Sequence, residues 1–269
     1  MDKFSCLMSF YKKDSPSHLD QAFESLRGQT LAAEEIILIQ DGQVGKELEQ
    51  IVEKWTRLLP IRLYVNKENI GLGLSLKRGL ELCSFEIVAR MDSDDICHPN
   101  RFEHQFKFLS AQPNISVVGS WIAEFSDSIE EISNYRKLPS EPHELFYFAK
   151  KRCPLNHPTV MYRKSDINNV GSYFNFRFQQ DYHLWGRLLN SGYKIANIPE
   201  SLVYMRVDER LFNRRGGLRY FQIETQVQKT FLDIGFINKL EFVRNYIIRG
   251  SIRLVPNSLR KIFYETFLR

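Results

Sequence analysis

Residues 86–95 read Glu86-Ile87-Val88-Ala89-Arg90-Met91-Asp92-Ser93-Asp94-Asp95, an apolar run that ends in three carboxylates within four positions. Glu86 to Met91 has the length and composition of a buried strand, and a helix is expected to begin near Pro99. The acids therefore fall on the connection between the two. Carboxylates this close repel one another unless a cation, a sugar hydroxyl or a helix N-terminus absorbs their charge. In an extended segment, side chains two apart point the same way, which puts Asp92 and Asp94 on one face, turns Ser93 away and leaves Asp95 toward the helix. All-oxygen ligation of this kind suits Mg2+ or Mn2+ carrying a phosphate ligand. The alternative is a solvated acidic turn in which Asp95 caps the helix ahead of Pro99.

Working outward, the chain predicts strands at Phe4 to Phe10, Glu35 to Gln40 and Ile61 to Val65. Helices are expected over Ser17 to Gly28, Lys46 to Leu59, Leu72 to Cys83 and Pro99 to Ala111. Strand and helix in turn imply an α/β fold with a mostly parallel sheet and right-handed crossovers. Ligands of such sheets bind beyond the carboxyl ends of the strands. Three polar clusters fall there: Ser9 to Lys13, Asp41-Gly42, and Asp92 to Asp95. Ile115 to Ala123 reads as a further strand, and the polar stretch from Glu124 to Pro142 breaks the rhythm. Thr159 to Tyr162 and Tyr193 to Ile198 read as strands, and Gln180 to Asn190 as a helix.

With 269 residues, 43% hydrophobic and 26% charged, the chain is an ordinary globular sequence. No apolar run approaches the roughly 18 residues that would cross a bilayer, and no secretory signal is legible at Met1. Cys6, Cys83, Cys97 and Cys153 lack metal-cage or disulfide spacing, which fits a reducing cytoplasm. From Arg206 onward the chain has 13 Lys/Arg against 6 Asp/Glu, whereas the remainder has 24 against 26. This basic tail reads as helical from about Phe212, with Phe236, Leu240, Val243 and Ile247 at three-to-four spacing and Arg244, Arg249 and Arg253 on other faces. A second short helix is expected over Leu259 to Leu268. Basic residues beside an apolar stripe describe a helix lying on an anionic membrane surface. The alternative is a helix packed on the body of the protein; aromatic stacking on RNA is the weaker third option.

Five segments in order resemble the family 2 glycosyltransferases of GT-A fold: Ser9-Phe10-Tyr11; Gln29-Thr30 ahead of Gln40-Asp41-Gly42; Asn69-Ile70-Gly71-Leu72; Met91 to Asp95; and Gln180 to Trp185. The likeness covers roughly residues 4 to 206. It implies a catalytic domain over 1–209 followed by a basic, amphipathic helical region over 210–269. His157-Pro158-Thr159 and the Arg-rich tail are similar more narrowly to glycosyltransferases of bacterial O-antigen, capsule or amylovoran-type exopolysaccharide assembly. That narrower likeness implies a cytoplasmic enzyme, peripheral on the inner face of the membrane, which extends a glycan on a polyprenyl diphosphate from a UDP-sugar donor.

By the resemblance, Ser9, Tyr11 and Asp41 line the donor site, with Asp41 accepting a hydrogen bond from uracil. Asp92 holds the ribose, and Asp94, with Asp92, holds Mn2+ or Mg2+. Lys77 or Arg78 and Arg206 are candidates to meet the diphosphate, although the family often has Asn at the Lys77 position. Asp181 corresponds to the base that deprotonates the acceptor in an inverting transfer, giving a β-linkage from an α-linked donor. The family usually has Glu-Asp where this chain has Gln180-Asp181. Asp181 could otherwise be only a first-turn helix residue favoured by the dipole. His157 and Trp185 are candidates for the acceptor side. His18, His98, His104, His143 and His183 show no ligand spacing. The missing Gly-rich loop after the first strand argues against a nucleotidyltransferase, and Gly71-Leu72-Gly73 is no dinucleotide fingerprint. An inactive nucleotide-sugar-binding relative and an enzyme with a soluble acceptor remain as alternatives. No nucleic-acid partner is expected.

Overall fold

In the computed structural model, which describes residues 3–207 and 217–254, the first half of the chain alternates as its sequence predicts. Strands β1 (Ser5–Phe10), β2 (Glu35–Gln40), β3 (Ile61–Val65) and β4 (Ile87–Asp92) alternate with helices α1 (Pro16–Arg27), α2 (Lys46–Thr56) and α3 (Leu72–Leu82). They lie in the order β3-β2-β1-β4, parallel throughout. Both faces are covered, which is why β2 is an unbroken apolar run. Ile36 and Leu38 enter the core beneath α1 and α2, and Ile37 and Ile39 enter the core beneath α3. At the start of β2, buried Glu35 accepts from Ser5 Oγ at 2.7 Å and Ser84 Oγ at 3.0 Å and pairs with Arg62, so its charge is met.

Beyond β4 the sheet becomes mixed. The order β4-β8-β6-β9-β5 adds β8 (Met161–Arg163), β6 (Ile115–Phe125), β9 (Lys194–Arg206) and the two-residue β5 (Ile96–Cys97). β8 is antiparallel to β4 and β6, β6 and β9 are parallel, and β5 is antiparallel to β9. The stretch after Glu124 contains β7 (Ile132–Arg136), which folds back on β6. β9 runs past Pro199, and shifts in register opposite Ser120 to Ile122 absorb the missing donor. Helices α4 (Arg101–Ala111), α5 (Pro142–Ala149), α6 (Lys164–Asn169) and α7 (Gln180–Asn190) complete the flanks, with a 3-10 turn at His157–Thr159.

The tail forms α8 (Leu218–Asp233) and α9 (Lys239–Leu254). Val227 and Phe231 of α8, with Phe236, share a core with Leu184, Trp185 and Leu188 of α7. The expected apolar stripe is therefore divided. Phe236 is buried, whereas Leu240, Val243 and Ile247 remain 83%, 51% and 62% exposed. Arg249 and Arg253, expected on faces other than the apolar stripe, turn inward to Glu224. The helix expected over Leu259 to Leu268 and the boundary at 209/210 lie outside the described residues.

Candidate active site

Ser9 lies opposite both Ile39 and Asp92 in the parallel ladder, so the loops after β1, β2 and β4 open along one edge, as the strand-end rule requires. Asp92, Asp94 and Asp95 bring carboxylate oxygens within 4.8 Å of one another there. Each has a different environment. Asp92 is paired with Arg90, fully buried two residues earlier on the same face of β4. Asp95 is buried and accepts the Arg206 backbone N–H at 2.9 Å, so it does not cap α4, whose N-cap residue is Asn100. Asp94 presents its outer edge to solvent. From the loop after β1, Asp14 accepts from Ser93 Oγ at 2.8 Å and from the Tyr11 backbone N–H at 3.0 Å, which draws the first motif onto the acidic run.

Burial, then the charges of Asp92 and Asp14, push the Asp94 carboxyl up to about 7. Burial, then Asp94 and Asp92, raise Asp95 well above the usual carboxylate range. A crowded set of hard oxygen donors that retains protons is the donor chemistry a divalent cation satisfies, and so the residues fit such an ion. The sign follows for the metal-free protein. A folded-state value above the unfolded one means stability falls as pH rises from about 4 through about 7. Relative to Asp94→Asn, metal-free wild type is expected to lose thermal stability between pH 5 and pH 8. Mn2+ should raise the wild-type melting temperature more at pH 8 than at pH 5. Equal Mn2+ effects at both pH values, or in both proteins, would refute the assignment.

Asp41 follows β2 and is 4% exposed. Oδ1 accepts from Asn66 Nδ2 at 3.0 Å and the Ile70 N–H at 2.9 Å, and Oδ2 from Asn69 Nδ2 and the Gly71 N–H, both at 2.9 Å. These four internal donors make Asp41 the organiser of the Asn69-Ile70-Gly71 loop. Arg78 is tied to Asn66 Oδ1 and to the Val65 carbonyl. Lys77 is half-buried and makes no ion pair or hydrogen bond among the described residues, which leaves it, of the two, free to meet an anion.

Asp181 occupies the first turn of α7, half-buried, where Cys153 Sγ donates to Oδ2 at 3.6 Å. Charge from both Asp181 and Asp92 bears on the buried Tyr173 phenol, whose pKa is raised chiefly by burial. The base candidate and Asp92 thus bear electrostatically on the same side chain from different elements. Between α3 and α7 the spacing is tight: a Cβ on Gly73 would meet the Phe174 carbonyl and lie 3.5 Å from Gln180 Cβ.

Other expectations need correction. Trp185 is fully buried in the α7 core and presents no surface to an acceptor, because it shares the inward stripe of Tyr182, Leu188 and Leu189. His157 is buried as well, bonded through Nε2 to Tyr173 Oη at 3.1 Å, and burial followed by Arg90 keeps its pKa well below the usual range. The Arg206 guanidinium spends its nitrogens on the Asp94 and Ser126 carbonyls and on Gln21 Oε1, and stacks on Phe125 at 4.5 Å. In this conformation it ties β9 to the acidic run instead of extending into the cleft. Sequence reasoning missed Asp14, Asn66 and Arg90. Only Arg90 left a signal, as a lone cation within an otherwise apolar strand.

A family model described as "Glycosyl transferase family 2" matches residues 5–171. The chain is 36% identical to the amylovoran biosynthesis glycosyltransferase AmsE of Erwinia amylovora, over 97% of this chain and 98% of that protein. It is 37% identical to a UDP-Gal:alpha-D-GlcNAc-diphosphoundecaprenol beta-1,3-galactosyltransferase of Escherichia coli, over 99% and 97%. Among solved structures, S. aureus TarS 1-349 in complex with UDP-GlcNAc superposes with a TM-score of 0.71 at 15% identity, covering 99% of this chain and 76% of that one. The mannosyltransferase PcManGT from Pyrobaculum calidifontis, in complex with GDP-Man and Mn2+, gives 0.66 at 14%, covering 96% and 71%.

Proposed function

The chain belongs to glycosyl transferase family 2, a family of sugar-transferring enzymes, and from that premise we propose an inverting, metal-dependent transfer of a hexose from a UDP-sugar to a glycan on a polyprenyl diphosphate. What supports the reading most is that Asp92, Asp94 and Asp95 gather carboxylate oxygens within 4.8 Å of one another at the strand-end edge where the loops after β1 and β2 also open. The E. coli relative, by its name, uses a UDP-hexose and a diphosphoundecaprenol acceptor.

Asp94 and Asp92 would hold Mn2+ or Mg2+, and the chemistry such an ion would supply there is neutralisation of the charge that develops on the departing diphosphate, without a proton transfer. Ser9 and Tyr11 border the donor, and Lys77 adds positive charge one helical turn beyond Gly73. A uracil N–H accepted by Asp41 displaces one of its internal donors, and the 69–71 loop is the part that yields. Asp181 takes the proton from the acceptor hydroxyl as that oxygen attacks the anomeric carbon opposite the leaving group, so an α-linked donor gives a β-linked product.

No helix among the described residues is long and apolar enough to cross a membrane. The exposed Leu240, Val243 and Ile247 instead form one face of α9, beside exposed Lys239, and this face rests on the anionic inner surface of the cytoplasmic membrane. The test is UDP release from a panel of UDP-sugars, with a GlcNAc diphosphate lipid in phosphatidylglycerol vesicles as acceptor. Mn2+-dependent release is expected for one donor. Combined Leu240→Glu and Ile247→Glu should abolish flotation with the vesicles and leave hydrolysis of the donor unchanged. No Mn2+-dependent release from any donor would overturn the transferase reading. Unchanged flotation would overturn the membrane reading alone.

A further inference from the structure

The residue before α7, Gln179, has φ +62°, a left-handed conformation that only Gln179 and Ser172 adopt among the described non-glycine residues. Such backbone persists only where its surroundings over-determine it. Gln179 stands at the N-cap yet makes no side-chain cap bond. Its amide Nε2 instead donates to Tyr220 Oη at 3.0 Å and to Glu224 Oε1 at 3.1 Å, both on α8. Glu224 is 1% exposed and is shared by Arg249 and Arg253 of α9, with Arg253 Nε at 3.0 Å from Oε2. α9 also grips the backbone just ahead of Cys153. Arg249 Nη2 donates to the Lys151 carbonyl at 2.6 Å and Asn245 Nδ2 to the Lys150 carbonyl at 2.7 Å. Two residues further on, Cys153 donates to Asp181.

We infer that the α8–α9 pair is part of the catalytic apparatus. Glu224 is the hub that fixes Gln179 in its left-handed turn, and together they are positioning residues that aim Asp181. Neither touches substrate. The inference rests on the reading of Asp181 as the base. It adds a polar path from the helix with the exposed apolar face to the reacting end of the sheet.

Gln179→Gly tests this without a folding penalty from strain, because glycine adopts a positive φ freely and Glu224 keeps both arginines. Glu224→Gln is the second variant, and Asp181→Asn the control. The readout is UDP release from the UDP-sugar that wild type uses best, with binding of UDP and Mn2+ followed by calorimetry and melting by fluorescence. Gln179→Gly, in which relief of backbone strain offsets the loss of two hydrogen bonds, should melt within a few degrees of the wild-type temperature and keep wild-type donor KM and UDP affinity. Its kcat should fall by about 10–100-fold, as a base displaced by an ångström or less would produce. Wild-type kcat in Gln179→Gly, with Asp181→Asn inactive, overturns this inference and leaves the base assignment standing. Wild-type turnover in Asp181→Asn overturns both.

Discussion

Asp181→Asn is expected to lower sugar transfer by about 10^3-fold, within the range that a positioned general base supplies. Binding of UDP with Mn2+ should not change. Asparagine keeps the size of the side chain and can still accept the Cys153 thiol through its carbonyl, so the loss isolates proton acceptance. The acidic run is a separate unit, since its members are held by Arg90, Asp14 and the Arg206 backbone and not by α7. The measurement is kcat for transfer to the lipid acceptor beside calorimetric UDP affinity. Turnover above about a tenth of wild type places the base elsewhere. A weakened UDP affinity would mean that α7 also shapes the donor site.

The parts of this arrangement visible in the sequence are those written locally. β2 is an unbroken apolar run and β4 is apolar but for Arg90, and Asp41 and Asp92 stand where those runs stop, so strand, edge and acidic cluster can be read from neighbouring letters. The place of Asp181 at the start of a helix was legible from the apolar period that follows it, whereas its candidacy as a base came from the resemblance. The partners that give these carboxylates their character were not legible. Asp14 meets Ser93 across 79 positions, and Asn66 meets Asp41 across 25. Gln179 meets Glu224 across 45. Periodicity carries the face a residue occupies but not the polar atom waiting on that face. Trp185 shows the converse, since its membership of the inward stripe of α7 was present in the spacing and outweighed any affinity of indole for sugars. In the tail, three-to-four spacing described one stripe, but the turn before α9 sends Phe236 into the core and leaves Leu240, Val243 and Ile247 outside.

Gly186→Ala should destabilise the protein, although the same change inside an ordinary exposed helix stabilises it by about 1 kcal/mol. The three atoms nearest a Cβ at this position are all Phe231 ring carbons, the farthest of them at 2.9 Å. That ring cannot turn aside. It is fully buried and packs edge-on against Tyr182 at 5.0 Å and Phe236 at 5.2 Å. Overpacking of this kind costs about 1–3 kcal/mol. In a domain of this size each kcal/mol lowers the melting temperature by about 2–4 °C. The methyl acts where α8 meets α7, so it pushes apart the two helices that Gln179 and Glu224 connect, and transfer should fall together with stability. Phe231→Leu in the same chain makes room for the methyl and should recover part of the loss, which distinguishes a steric wedge from a change in helix propensity. If Gly186→Ala melts at or above the wild-type temperature, α8 is not seated on α7 as described. The path from the tail to Asp181 would then lose its physical basis.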